Sequence, residues 1–146
     1  MSAIASLRSH YVTIRSWLEC FPLWLIQLGM RASIAAVFVN SGLLKINSWE
    51  FAVKLFEEEY KLPLLDPVVA AYMATFTELS FPFLIFFGLA TRLATLPLLG
   101  MVFVIQVFVY PQAWFEHLLW TSILLFLLTR GPGPVSIDHM IERRLA

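Results

Sequence analysis

Four long apolar stretches constrain this chain more than any other feature. They run from Leu23 to Leu44, from Pro67 to Leu89, from Leu93 to Tyr110 and from Ala113 to Thr129. A helix needs about 20 residues to cross a bilayer core of ~30 Å, with roughly 17 as the lower limit. Backbone polar groups in lipid must be satisfied within the segment, and stretches without polar–apolar alternation favour helices over barrel strands. We therefore predict an all-α fold, a four-transmembrane-helix bundle.

The composition agrees with a membrane protein and excludes other classes. Of the 146 residues, 60% are hydrophobic and 14% are charged, whereas a soluble domain has about 25% charged residues. Ten Lys and Arg residues balance ten Asp and Glu residues, so the formal net charge is zero. Such a chain lacks the positive charge that marks a nucleic-acid-binding protein. We expect the lipid bilayer as a partner and no nucleic acid.

Polar and proline-containing segments mark the ends of the predicted spans. Asp66 followed by Pro67 is typical of an N-cap and a first helical residue. Gly88 begins a very short connection, which predicts that the second and third spans form a helical hairpin. A glycine–proline segment over 131–134 ends the fourth span. The predicted organisation is an amphipathic N-terminal segment over 1–22, a four-helix transmembrane domain over 23–130 and a cytoplasmic tail over 131–146.

Two segments outside the spans carry apolar side chains at helical spacing. The first set is Leu7, Tyr11, Ile14, Leu18 and Phe21, and the second is Trp49, Ala52, Val53, Phe56 and Tyr60. This spacing places the apolar side chains on one face of a helix. We predict two short amphipathic helices that lie on the membrane surface.

The distribution of basic residues predicts the orientation. With four spans, both termini and the connection after Gly88 share one side, whose arginines are Arg8, Arg15, Arg92, Arg130, Arg143 and Arg144. The other side carries Lys45, Lys54 and Lys61. The side with more basic residues is cytoplasmic by the positive-inside rule. We therefore expect a multi-pass protein with both termini in the cytoplasm.

Ionisable residues within the spans are candidates for function. A charge at mid-membrane costs roughly 2.5–3.5 kcal/mol on insertion scales, which predicts pairing or a polar cavity. Arg31 and Glu78 lie at similar predicted depths in the first and second spans. We therefore expect an Arg31–Glu78 pair. The pair either holds two helices together or belongs to a functional site.

A second polar group is predicted nearer the outer surface. With Arg31 and Glu78, the candidate ligand-binding pocket contains Lys45, Gln106, Glu116 and His117. The alternative is that Lys45 snorkels to the interface, His117 lies at the interface and Gln106 bonds a neighbouring backbone group. A lone cysteine excludes a dithiol pair, and no spaced set of Cys, His and carboxylate residues predicts a metal site. We predict no intrinsic cofactor.

Several short motifs are spread over residues 25 to 140. They comprise Arg31, the run from Gly42 to Lys45, Glu78, the run from Gly88 to Arg92, and the closing run from Gly131 to Asp138. Together these residues resemble the DoxX family of small bacterial membrane proteins, and the closing run is the most specific of them. The resemblance implies a four-helix bundle in the bacterial inner (cytoplasmic) membrane. It marks as structural motif residues Gly42, Arg92, Gly131, Pro132, Gly133, Ser136 and Asp138.

The resemblance also implies links to redox and stress chemistry. The family takes its name from a subunit associated with a quinol oxidase, and related chains are linked to thiosulfate:quinone oxidoreduction and to oxidative or metal stress. One hypothesis is an accessory or quinone-interacting subunit with a bound quinone and a membrane or periplasmic protein partner. The alternative is a non-enzymatic scaffold or a transporter-like protein for small solutes or metal stress. Whether the chain is an enzyme, and whether it forms a homodimer, are left open.

Overall fold

The computed structural model describes residues 2–63 and 65–145, and within these ranges all regular structure is helical. Met1, Leu64 and Ala146, which belong to the predicted N-terminal segment, outer loop and tail, lie outside the described residues, as do the side chains of residues 2–6. The α-helices are α1 (Ser2–Glu19), α2 (Leu23–Asn47), α3 (Trp49–Leu55), α4 (Pro67–Phe87), α5 (Thr91–Val104), α6 (Trp114–Arg130) and α7 (Ile137–Leu145). A π-helical turn follows α3 over Phe56–Tyr60, and a second follows α5 over Ile105–Val109. The predicted all-α class is confirmed.

Three helices in the described part of the chain are long and apolar enough to cross a membrane. They are Leu23–Asn47, Pro67–Phe87 and Thr91–Val109, with 25, 21 and 19 residues. The third comprises α5 and its π-helical turn. With 17 residues, α6 has roughly the minimum length for a span. The fourth span stays a prediction.

The long helices α2, α4, α5 and α6 pack around one apolar core. Helix α2 contacts α4 and α6, and α5 contacts the same two helices. The buried core residues are Ile34, Phe38, Ile85, Ala94, Leu98, Val102, Leu124 and Leu127. At Gly42 a Cβ atom would lie only 2.8 Å from the Leu79 side chain. The small residue therefore allows α2 and α4 to approach closely, as is usual between membrane helices.

Both ends of α4 have the predicted capping chemistry. Asp66 Oδ1 accepts hydrogen bonds from the backbone N–H groups of Val68 (2.9 Å) and Val69 (3.2 Å). At the other end Gly88 has φ +70°, a conformation that glycine adopts without steric cost. Two backbone hydrogen bonds close this end, from Gly88 N–H to Ile85 (3.1 Å) and from Leu89 N–H to Leu84 (2.8 Å). The turn between α4 and α5 therefore forms the predicted hairpin.

The second amphipathic segment packs on protein. Phe56 is buried with Ala70 and Ala71 of α4, and Trp49 and Tyr60 are among the partly buried residues around them. This face, predicted to lie on the membrane surface, therefore covers the first turns of α4. Helix α1 differs, because its apolar side chains from Leu7 to Leu18 are exposed.

The closing glycine–proline run folds back onto the turn between α4 and α5. The N–H of Asp138 donates to the Gly88 carbonyl (2.8 Å). The Asp138 carboxylate accepts hydrogen bonds from the N–H groups of Ala90 (2.6 Å) and Thr91 (2.9 Å), and thereby caps α5. We call this end of the bundle, with residues 88–90 and 131–145, the tail end. The opposite end, with residues 48–63 and 110–113, is the loop end.

Candidate functional site

A cavity of about 870 Å³ lies among α2, α4, α5 and α6 and reaches the loop end. Most of its walls are apolar, and its ionisable lining residues are Lys45, Tyr60, Glu78, Tyr110, Glu116 and His117. The structure thus brings four of the predicted site residues, Lys45, Glu78, Glu116 and His117, to one cavity. Gln106 lies behind the wall, in contact with His117. Glu116 is exposed.

The inner wall of the cavity carries a buried ion pair between α2 and α4. Lys45 Nζ lies 2.9 Å from both carboxylate oxygens of Glu78 and 3.0 Å from Ser41 Oγ. The Ser41 hydroxyl in turn donates to Glu78 Oε1 (3.1 Å). Three acceptors therefore match the three N–H donors of the ammonium group, while the carboxylate keeps lone pairs free. Within this ion pair the unused hydrogen-bonding capacity belongs to Glu78.

On α6, His117 is held in one tautomer by Gln106. The Gln106 amide nitrogen donates to the Pro111 carbonyl (2.9 Å), so its oxygen is the atom that lies 2.6 Å from His117 Nδ1. Since that oxygen can only accept, Nδ1 donates in this contact, and a ring that carries one proton then has Nε2 as an acceptor. Gln106 thus bonds a neighbouring backbone group, as one of the two interpretations of the sequence expected, and it also orients His117. The ring packs against Trp120, with centroids 5.3 Å apart.

A tyrosine pair at the loop end joins the two π-helical turns. The hydroxyl groups of Tyr60 and Tyr110 lie 3.4 Å apart, and Tyr110 donates to Glu59 Oε1 (3.1 Å). Burial, together with the contact with Tyr110, raises the pKa of Tyr60 above its ordinary value. The predicted pocket does not contain this pair. Tyr110 ends the third apolar stretch and Tyr60 ends the second amphipathic segment, and these matching positions are the signal that could have included the pair.

The predicted Arg31–Glu78 pair is wrong, because Glu78 pairs with Lys45 and Arg31 lies at the tail end. The Arg31 guanidinium donates to four backbone carbonyls, those of Ile85 (2.9 Å), Phe86, Pro132 (3.3 Å) and Val135 (2.6 Å). Arg31 is 2% exposed. It therefore holds the end of α4 and the closing run together, outside the cavity that contains the other candidates.

The register of α2 against α4 explains this difference. Gly42 faces Glu78 and Leu79. In an antiparallel pair with equal rise per residue, Arg31, eleven residues before Gly42, lies level with the turn after Gly88. The prediction counted depth from the cytoplasmic ends of the first and second spans and assumed that these two ends lie at the same level. The first two turns of α2 instead extend past the end of α4 and contact the closing run.

The structural motif residues of the closing run are assembled at the tail end. Gln27 donates to the Gly131 carbonyl (3.2 Å), and its side chain fills the space that a Cβ at Gly133 would occupy. Ser136 donates to the Gly133 carbonyl (2.6 Å) and accepts from the N–H of His139 (3.2 Å). These contacts fix the closing run beside Arg31 and away from the cavity.

Comparison with known proteins identifies the chain's family. The family model described as DoxX matches residues 26–111, which include α2, α4, α5 and most of the predicted pocket. A relative described as an uncharacterized protein of Haemophilus influenzae is 27% identical over 124 residues, which cover 78% of this chain and 82% of that protein. No solved structure matches. The matched family and the apolar helices agree with the resemblance drawn from the short motifs, and the chain is a membrane protein of the DoxX family.

Proposed function

We propose that this protein is a quinol-binding accessory subunit of a membrane redox system. The observation that carries the proposal is the cavity that reaches the loop end, where Glu78 and His117 present acceptor atoms with unused capacity. A quinol has two hydroxyl donors, whereas a quinone has two carbonyl acceptors. Glu78 and the Nε2 atom of His117 therefore complement the reduced form, and the apolar walls suit its ring and tail.

The same two groups can accept the protons that are released when a quinol is oxidised. Oxidation of a quinol to a quinone releases two protons and two electrons. The Glu78 carboxylate and His117 Nε2 each accept one proton from the hydroxyl group that they bind. The chain has one cysteine and hence no dithiol to take the electrons. We infer that a membrane or periplasmic protein partner supplies the electron acceptor.

The proposal includes four spans in the bacterial inner membrane with both termini in the cytoplasm. Helix α6 would extend about 25 Å at 1.5 Å per residue, which suits a slightly thinned bilayer. Its residues Leu124 and Leu127 are fully buried against the other long helices. The arginine-rich tail end then faces the cytoplasm, and the cavity reaches the outer side.

Quinone extraction tests the proposal. Protein purified in mild detergent is extracted with organic solvent, and quinol and quinone are quantified per chain. We expect about one equivalent from the wild type and strong depletion from Glu78→Gln and His117→Ala. Glu58→Gln is the matched control, because Glu58 is an exposed carboxylate outside the cavity and should retain the ligand. Absence of quinol and quinone from wild-type protein purified from its native membrane contradicts the proposal.

A paired variant separates ligand binding from helix clamping. In Lys45→Met/Glu78→Met both charges are replaced by apolar groups, so no unpaired charge remains buried. We expect this variant to fold and to lose the quinol. Retention of one equivalent by the folded double variant would assign the pair to helix packing alone, as in the scaffold alternative.

Thiol labelling in intact cells tests the orientation. Cys20 is an exposed residue just before α2 at the tail end, and Glu58 follows α3 at the loop end. An impermeant thiol reagent should label Glu58→Cys in a Cys20→Ser background and should leave Cys20 of the wild type unlabelled. The reverse pattern would overturn the orientation.

A further inference from the structure

A second cavity, of about 450 Å³, lies at the tail end. It is separate from the loop-end cavity and much more polar. Its charged or titratable lining residues are Arg92, Arg130, Asp138, His139 and Glu142. The first two come from different long helices, α5 and α6, and both are exposed. The cavity thus has two guanidinium groups in a wall that the fold assembles from distant parts of the chain.

The two guanidinium groups have unused hydrogen-bonding capacity. Within residues 2–63 and 65–145, neither Arg92 nor Arg130 has an acidic partner within 4.0 Å or donates a side-chain hydrogen bond to protein. The Arg92 guanidinium lies 3.7 Å from the position of a Cβ on Gly131, the residue after Arg130. Arg92 therefore reaches the end of α6, where Arg130 is the last helical residue.

Helix electrostatics favours one of these positions and disfavours the other. Arg130 is the last residue of α6, where a positive charge stabilises the helix dipole. Arg92 is the second residue of α5, where the dipole repels a positive charge. The Asp138 carboxylate, which caps α5, already offsets part of that repulsion, and an anion between the two side chains would offset it further.

The carboxylates in the wall do not occupy the guanidinium groups. Both oxygens of Asp138 accept backbone N–H groups, those of Ala90 (2.6 Å) and Thr91 (2.9 Å). Glu142 lies one turn further along α7 and is exposed. Asp138 is therefore committed to capping α5, and Glu142 is the carboxylate that competes with a bound anion.

We propose that this cavity binds a phosphate group through Arg92 and Arg130. Guanidinium groups bind phosphate oxygens through paired charge-assisted hydrogen bonds, and two of them on separate helices can hold one phosphate from two sides. The phosphate belongs either to an anionic phospholipid or to a small soluble phosphate ester. The cavity lies level with the ends of α4 and α5, where lipid headgroups meet the membrane-spanning helices.

Lipid binding by the purified full-length protein tests the proposal. Protein in a neutral detergent is titrated with dioleoyl phosphatidylglycerol, with dioleoyl phosphatidylcholine and with inorganic phosphate, and native mass spectrometry counts the bound molecules. We expect phosphatidylglycerol to bind and Arg92→Gln/Arg130→Gln to weaken its binding by about ten-fold or more. Arg143→Gln/Arg144→Gln is the matched control, because it removes the same charge from the tail end outside the cavity and should bind as the wild type does.

A variant that binds more tightly than the wild type provides a second test, because a folding defect would weaken binding and could not strengthen it. Glu142→Gln removes the competing carboxylate and leaves the Asp138 cap intact, so it should strengthen phosphatidylglycerol binding. If inorganic phosphate binds wild type at the same site and competes with phosphatidylglycerol at similar concentration, the ligand is a soluble phosphate. The proposal is overturned if neither probe prefers wild type to Arg92→Gln/Arg130→Gln, or if the control pair weakens binding equally.

Discussion

The two buried charged residues, Arg31 and Glu78, differ in their hydrogen-bond partners and in their surroundings. At the tail end, Arg31 is 2% exposed and donates only to backbone carbonyls. In the middle of α4, Glu78 is 4% exposed, pairs with the Lys45 side chain and lines the cavity that reaches the loop end. Burial is nearly equal, so it does not distinguish a structural charge from a functional one. The proposed quinol site rests instead on the unused hydrogen-bonding capacity of Glu78 beside open space.

Replacement of Arg31 should have the largest effect on stability. Arg31→Met removes a charged donor from four backbone carbonyls and frees the closing run from α4. We expect a loss of about 3–5 kcal/mol in the free energy of unfolding, because several hydrogen bonds to a charged group, each worth about 1.5–3 kcal/mol, are lost together. Thermal unfolding in detergent measures the loss, and limited proteolysis should cleave within residues 131–145. Arg143→Met, at an exposed site on α7, is the control, and equal stability of the two variants would contradict the assigned role.

Breaking the Lys45–Glu78 pair should cost less. Each single variant, Lys45→Met or Glu78→Met, leaves one charged group without its partner, and we expect a loss of about 1.5–3 kcal/mol. The double variant should recover most of this loss, because no buried charge remains. Unfolding free energies of the four proteins form a double-mutant cycle that measures the coupling. Additive losses would mean that the two side chains do not interact.

The comparison also explains which parts of the molecule the sequence could predict. The Asp66 cap and the Gly88 turn depend on neighbouring residues, so local capping rules located both ends of α4. The partner of Glu78 depends on the register between two helices. Residue counts from the span ends gave Arg31 as its partner, since they could not show that α2 extends past α4. The close contact of Gly42 with Glu78 and Leu79 fixes this register. With the register fixed, Lys45, three residues after Gly42, becomes the expected partner of Glu78.

The candidate site was predicted in part for the same reason. Helical spacing and depth placed Glu78 level with Arg31 and placed Lys45 and His117 nearer the outer surface, whereas the cavity brings Lys45, Glu78 and His117 together. The Tyr60–Tyr110 contact needs the fold of α3 back onto α4, which no local pattern encodes. The residues of the closing run were recognisable as a motif, but their contacts with Gln27 and Arg31 depend on tertiary packing.

Asp138 should have a smaller effect than either buried charge, because it acts on one helix end. Asp138→Ala removes the acceptor for the N–H groups of Ala90 and Thr91, and loss of such a cap costs about 0.5–2 kcal/mol. Asp138→Asn keeps an oxygen acceptor and should lose less. Hydrogen exchange of these two amides should speed up in Asp138→Ala while exchange near Asp66, the cap of α4, stays unchanged. Faster exchange at both ends would indicate general loosening instead.

The smallest effect should appear at the loop end, in alkaline solution. Burial and the contact with Tyr110 raise the pKa of Tyr60 above its ordinary value, which is about 10 in an unfolded chain. The unfolded state therefore releases this proton first, so the stabilisation is complete below about pH 10 and is lost as pH rises further. The unfolding temperature of the wild type should fall more steeply above about pH 10 than that of Tyr60→Phe.

Tyr11→Phe is the control for this titration, because Tyr11 is exposed on α1, and it should follow the wild-type curve. None of the residues that accept hydrogen bonds from Arg31 is a tyrosine. The rate of proteolysis of the closing run should therefore not change over the same pH range. An alkaline transition that loosens the closing run first, or that Tyr60→Phe leaves as steep, would place the sensitive group elsewhere. A transition confined to the loop end would show that the two ends of the bundle lose their structure independently.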